Sequence, residues 1–217
     1  MVLALVLLSL LSKANIFVAA ADSLLPLQKN QYAFPRGNLS SPVIVDFFID
    51  LGCSSCLSSW PTITEVYDTY KDRVKFQYRV FPLPYHQQSF ILAKAAQVVD
   101  YYGVKGSVFT FFDTSFANQP LIYNTATADS TYNEVVALVS EWATAGTGVS
   151  YNDYYVGMNN TANTIGNTLE MNARYMWKNA CLKEAYATPL FAVNGLGVDG
   201  LDTFADWQSV LDPLLAQ

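Results

Sequence analysis

The stretch "DFFIDLGCSSCLSSWP", Asp46 to Pro61, sets two cysteines three apart just after a run that reads as a buried strand. That run, Val43 to Ile49 ("VIVDFFI"), is apolar and β-branched except at Asp46, the pattern of a strand covered on both faces. After Gly52 the period becomes helical: Leu57, Trp60, Ile63 and Tyr67 share one stripe, with Cys56 at its upper end. Pro61 falls inside this helix and, having no N–H to donate, is expected to bend it. A second run, Val74 to Phe81 ("VKFQYRVF"), alternates as a half-buried strand.

A strand feeding a helix that opens with C-x-x-C has a chemical use. The free backbone N–H groups and the dipole of a helix start stabilise an anion. The thiolate is the nucleophilic form of cysteine, so Cys53 would be activated by its place, and Cys56, one turn inward, would attack the resulting mixed disulfide. A purely structural Cys53–Cys56 bridge is a weaker reading, because so short a loop constrains the unfolded chain little. A zinc site from Cys53, Cys56, Cys181 and the sole histidine, His86, is arithmetically possible, but the second half lacks the paired spacing of zinc modules.

The ends of the chain bear on compartment. Met1 to Ala21 carries an apolar core, Val2 to Leu11, and closes on Ala19-x-Ala21, as a secretory signal does. The core is too short to span a bilayer, which takes about 20 residues, so no stable membrane insertion is expected. Removing the segment leaves about 196 residues, the size of one domain or one domain with an insertion. Lys13 leaves with it, so 11 basic residues face 18 acidic ones and nucleic acid is excluded as a partner. Two sequons, at Asn38 and Asn159, fit a secreted chain and would lie on the surface if used. The carboxyl end "DPLLAQ" is no retrieval signal, which leaves the secretory lumen or the outside as the expected location.

The second half supplies the complement of the cysteine motif. In "EAYATPLFAVNGLGVDG", Glu184 to Gly200, Leu190 to Val193 reads as a short strand, Asn194-Gly195 as a hairpin turn, and Val198 as the start of the return strand. Asp50-x-x-Cys53-x-x-Cys56, Trp60-Pro61, "FPLPYH" at Phe81 to His86, and Thr188-Pro189 before "LFAVNG" together resemble the DsbA-like thioredoxin-fold family, in particular its eukaryotic secretory members. The resemblance implies an α/β thioredoxin-like fold with a helical insertion between the second strand and the cis-proline strand. It divides the chain into an N-terminal segment 22–41, a first half 42–86, an insertion 87–185 and a second half 186–217. It also implies a cis Thr188-Pro189 bond facing the cysteines, where the backbone of residue 188 pairs with an extended substrate.

By the same resemblance the chain is a thiol–disulfide oxidoreductase with no cofactor, catalytic residues Cys53 and Cys56, and substrate contacts at Thr188 and Pro189. Its partners would be protein or peptide thiols and disulfides and a redox partner that recycles the pair. The other class of reading is a non-catalytic binder that grips extended segments. Asp46 resembles the buried acid that takes a proton from the second cysteine, yet it lies seven residues before Cys53, one more than the family spacing. A plain structural role is its alternative. Ser54 and Ser55 bring hydroxyls but no positive charge, so an intermediate reduction potential is expected.

Between the halves, "SFILAKAAQVVDYY" has apolar residues at helical spacing, and Thr131-x-x-Glu134 is a capping box. The cluster Phe109, Phe111, Phe112 and Phe116 reads as the core of the insertion, and His86 as part of a turn packed against it, with a thiolate partner as the second reading. Cys181, as a lone cysteine, is expected to be a buried, inert thiol.

Overall fold

The computed structural model describes residues 25–26 and 32–216; the signal-like segment Met1–Ala21 lies outside them. Five strands form one sheet: β1 (Phe34–Gly37), β2 (Ile44–Ile49), β3 (Lys75–Val80), β4 (Leu190–Val193) and β5 (Leu196–Val198). Their order is β1-β3-β2-β4-β5. β2 and β3 are parallel, and the other neighbours are antiparallel. Helix α1 (Ser54–Tyr70) is the crossover between the two parallel strands. Five helices follow between β3 and β4: α2 (Ser89–Tyr102), α3 (Ser107–Ala117), α4 (Tyr132–Thr144), α5 (Tyr151–Met158) and α6 (Ile165–Leu182), with a 3₁₀ turn at Gln119–Ile122. Helix α7 (Phe204–Leu215) closes the chain.

Strand alternation decides which helices each face meets. Phe47 stacks on Phe76 at 5.7 Å and meets Trp207 of α7 at 5.5 Å, while Tyr78 meets Trp60 of α1 at 6.1 Å. That face belongs to α1, α3 and α7. The odd-numbered partners on β3 and the even ones on β2 point the other way. Arg79 bonds Asn179 of α6 at 2.8 Å, and Phe48 packs with Ala180 and Ala185. Strand β3, the run that reads as half-buried, is therefore buried on both faces, with Gln77 and Arg79 satisfied by polar partners under α6.

The insertion is fastened to the sheet by aromatic pairs. Phe109 meets Tyr78 at 5.0 Å, Phe112 meets Phe34 at 5.8 Å, and Phe116 meets Trp60 at 4.8 Å. Each such pair contributes about 0.5–1.5 kcal/mol beyond the area it buries, so the phenylalanine cluster is the seam between insertion and sheet and not only the insertion's own core. Helix α2 spans the residues its periodicity indicates, and α4 opens on the Thr131–Glu134 capping box.

Helix α1 continues through Pro61 to Tyr70, and one local expectation changes. The return strand begins at Leu196 and ends at Val198, because Asn194 and Gly195 both take positive φ (51° and 83°), the two-residue turn that leaves no spare residue before the strand. Strand β1 carries Pro35 on the sheet edge, the position where a missing N–H is tolerated.

Candidate active site

Cys53 is the N-cap of α1, with extended backbone (φ −87°, ψ 123°), and its carbonyl accepts the first helical bond from Leu57 N–H at 3.1 Å. Its position leaves the N–H groups of the first helical turn directed at its own sulfur. Cys56, one turn on, is fully buried, and both are free thiols. The other half of the chain arrives opposite: the Cys53 Sγ lies 3.4 Å from the Thr188 carbonyl oxygen, and Thr188-Pro189 is cis. The Thr188 hydroxyl is buried with no hydrogen-bond partner of its own, so it is available to a thiolate.

The electrostatics separate the two sulfurs. The Cys56 thiol hydrogen-bonds Cys53 and pulls its pKa down to about 5; burial opposes this, and the Thr188 hydroxyl and the Cys56 and Ser55 backbone N–H groups add to it. Burial, reinforced by the adjacent Cys53 charge, pushes the Cys56 thiol well above the ordinary cysteine range. One sulfur is thus an anion near neutral pH, and its neighbour holds the proton.

The loop before α1 is held by two further residues, Gln119 and Asp50. Gln119, fully buried in the insertion, donates from Nε2 to the carbonyls of Leu51 (2.8 Å) and Cys53 (3.0 Å), and Tyr123 donates to its Oε1 at 2.8 Å. Asp50, also fully buried, donates its backbone N–H to the Cys56 Sγ at 3.3 Å. Its Oδ1 accepts from Gly52 N–H at 2.8 Å, and its Oδ2 accepts from Leu83 N–H at 2.9 Å and lies 2.7 Å from His86 Nδ1. Asp50 was visible in the sequence only as a letter of the motif, and Gln119 carried no signal.

The other candidate residues fall elsewhere. Asp46 is not brought to the cysteines: it points to the α6 face, on the side of the sheet away from α1, where its carboxylate is paired with Arg79 Nε at 2.8 Å. The residue six before Cys53, on the α1 face, is Phe47. Cys181 is exposed near the end of α6 rather than buried. Among the described residues no group of three or more His, Cys, Asp or Glu is gathered as a metal ion would need, so the Cys₃His set is not assembled. Nor is any described helix long and apolar enough to cross a membrane.

A sheet of this order, a cysteine pair at the start of its crossover helix and a cis-proline loop opposite define a thioredoxin-like fold. A family model described as Thioredoxin matches residues 29–213, and the chain belongs to that family. No curated protein matches it. Among solved structures it is similar to oxidised BdbD from Bacillus subtilis (TM-score 0.68, 18% identity, covering 86% of this chain and 95% of that one). It is also similar to the thiol-disulfide exchange protein alpha-DsbA2 from Wolbachia pipientis (0.63, 17%, 84% and 87%). A third likeness is to a periplasmic thioredoxin-like protein from Salmonella enterica serovar Typhimurium (0.62, 15%, 88% and 94%).

Proposed function

We propose that the protein is a thiol–disulfide oxidoreductase acting on protein or peptide disulfides. The observation that carries this is the division of labour between the sulfurs: Cys53, at the helix start and 3.4 Å from the Thr188 carbonyl oxygen, is favoured as a thiolate by the Cys56 thiol, the Thr188 hydroxyl and the backbone N–H groups, while Cys56 is buried and favoured as a thiol. In the reducing direction the Cys53 thiolate attacks a substrate disulfide, forming a Cys53–substrate bond and releasing one substrate sulfur as a thiolate. Cys56 then attacks Cys53 Sγ, its proton passing to a released substrate thiolate, the second substrate sulfur leaves with the electron pair, and the protein keeps a Cys53–Cys56 disulfide. Two electrons pass to the substrate, and the same steps run backward form a disulfide in it.

Substrate would lie along the groove beside Thr188 and Pro189, about 350 Å³ in volume and bounded by Ser55, Ser59, Leu201 and Asp202. Both edges of β4 are already paired, so the free backbone for an added strand is at residue 188. The same reading keeps residues 42–86 and 186–217 as the thioredoxin-like halves and 87–185 as the insertion. It places the protein outside the cytoplasm, in a eukaryotic secretory lumen or beyond. The signal-like Met1–Ala21, the periplasmic likeness and the exposure of both sequon asparagines, Asn38 and Asn159, support that placement and make the protein a candidate glycoprotein.

Insulin reduction with dithiothreitol as electron donor tests the activity. Wild type is expected to accelerate precipitation of the insulin B chain, and Cys53→Ser to return it to the uncatalysed rate. Equal turnover in the two proteins would leave a groove that binds extended segments without chemistry.

A further inference from the structure

Asp50 occupies an unusual electrostatic position. Its carboxylate is fully buried between the end of β2 and the loop after β3, and its own amide is bonded to the Cys56 sulfur. A buried negative charge so close to the cysteine pair would oppose a second anion at Cys53. Asp46, the buried acid within β2, is compensated by Arg79. Among the described residues the one ionisable side chain bonded to Asp50 is His86, at 2.7 Å. His86 is the chain's only histidine and is partly open to solvent, with 26% of its side chain exposed.

We propose, resting on the oxidoreductase reading above, that Asp50 and His86 form a charge-compensated pair that sets how firmly the start of α1 holds the Cys53 thiolate. Asp50 is a positioning residue. Its two oxygens fix Gly52 N–H and Leu83 N–H, which locks the loop that presents Cys53, and its amide fixes Cys56. His86, 2.7 Å from the Asp50 carboxylate, supplies the compensating charge that keeps it from repelling the thiolate. Gly52 is part of the arrangement, since a Cβ there would fall 2.2 Å from Ser89 Oγ. The other charged or titratable groups around the imidazole are Tyr85, whose ring meets it edge-on at 4.8 Å, and Arg174 and Lys178 of α6, which border the same depression; Tyr123 borders the hollow on its other side.

A fastening role and a charge role make different predictions. Loss of fastening weakens the thiolate site whichever partner is removed, whereas loss of charge acts with opposite signs. The ultraviolet absorbance of the thiolate, followed against pH in reduced protein, reads this directly. His86→Asn keeps a donor near Asp50 but no charge, and the Cys53 midpoint is expected to rise by roughly one unit, the lower end for a nearby charge. Asp50→Asn removes the negative charge, and the midpoint is expected to fall. His86→Lys restores a cation and is expected to bring the midpoint back toward wild type, which keeps the test decisive should Asp50→Asn fail to fold. Shifts of the same sign in the Asn variants, or a His86→Lys midpoint equal to that of His86→Asn, would overturn the proposal. A wild type without a depressed midpoint or insulin turnover would count instead against the oxidoreductase reading itself.

Discussion

Cys56→Ser is expected to convert a transient intermediate into a stable product: substrates covalently attached through Cys53, accumulating toward one per protein molecule. The geometry separates attack from release. Cys53, with 6% of its surface exposed, lies against the Thr188 carbonyl beside the groove, whereas Cys56 is fully buried behind it, between the Cys53 sulfur and the Asp50 N–H. Serine at 56 leaves the first step intact and removes the nucleophile of the second. On non-reducing gels of a secretory extract the adducts should appear with Cys56→Ser, disappear with dithiothreitol, and be absent from Cys53→Ser/Cys56→Ser. Because Cys181 is exposed, the trap is best built with Cys181→Ala as well. Adducts that persist in the double variant and vanish only on loss of Cys181 would move the reactive centre to α6.

The second large effect is on thiol reactivity, and its direction depends on pH. With a Cys53 pKa of about 5, nearly all of it is thiolate at pH ~6, against roughly 0.3% of an ordinary thiol of pKa ~8.5. A low pKa also makes a poorer nucleophile: with a Brønsted slope of about 0.4–0.5, that difference costs roughly 25-fold to 55-fold in intrinsic rate. Against such an ordinary thiol the net advantage of Cys53 is therefore about fivefold to tenfold near pH 6 and reverses near pH ~7; burial raises the Cys181 thiol, which moves its crossover with Cys53 to higher pH. Iodoacetamide labelling mapped by mass spectrometry should show a Cys53 rate that is flat above pH ~6 and a Cys181 rate still climbing through pH ~8, with buried Cys56 last throughout.

The same depressed value links to stability in the reduced state. An acid whose folded pKa lies below its unfolded one adds stability in full above the unfolded value, and the gain is lost as pH falls through about 5. Reduced wild type should gain thermal stability relative to Cys53→Ser as pH rises across that interval.

Much of this site is written in local sequence. A strand followed by Cys-x-x-Cys at a helix start, the Asn-Gly hairpin and the capping box are short-range features, and the structure keeps each where its residues place it. Strand β1 was illegible because four residues containing Pro35 and Gly37 show no period, and only pairing with β3 makes them a strand. The case of Asp46 turns on parity. In a strand a shift of one residue exchanges the two faces, so an acid seven before Cys53 instead of six sits under α6 with Arg79, while Phe47 takes the α1 face. The contacts of Asp50 with His86 and of Gln119 with Cys53 join residues 36 and 66 apart in sequence. The first depends on how the loop after β3 folds back on the end of β2 and the second on how the insertion docks, and no local pattern encodes either.

The central claim is that Cys53 and Cys56 are one two-electron couple that exchanges with external disulfides. Equilibrating the protein in glutathione buffers of graded potential, then blocking and mapping each cysteine by mass, measures this most directly. The account predicts a Cys53–Cys56 bridge that forms and dissolves reversibly, at a potential between the extremes of about −270 and −120 mV known for such pairs, while Cys181 does not bridge to either. Cysteines 53 and 56 that remain thiols across the whole range, or that bridge to Cys181 instead of to each other, would contradict it.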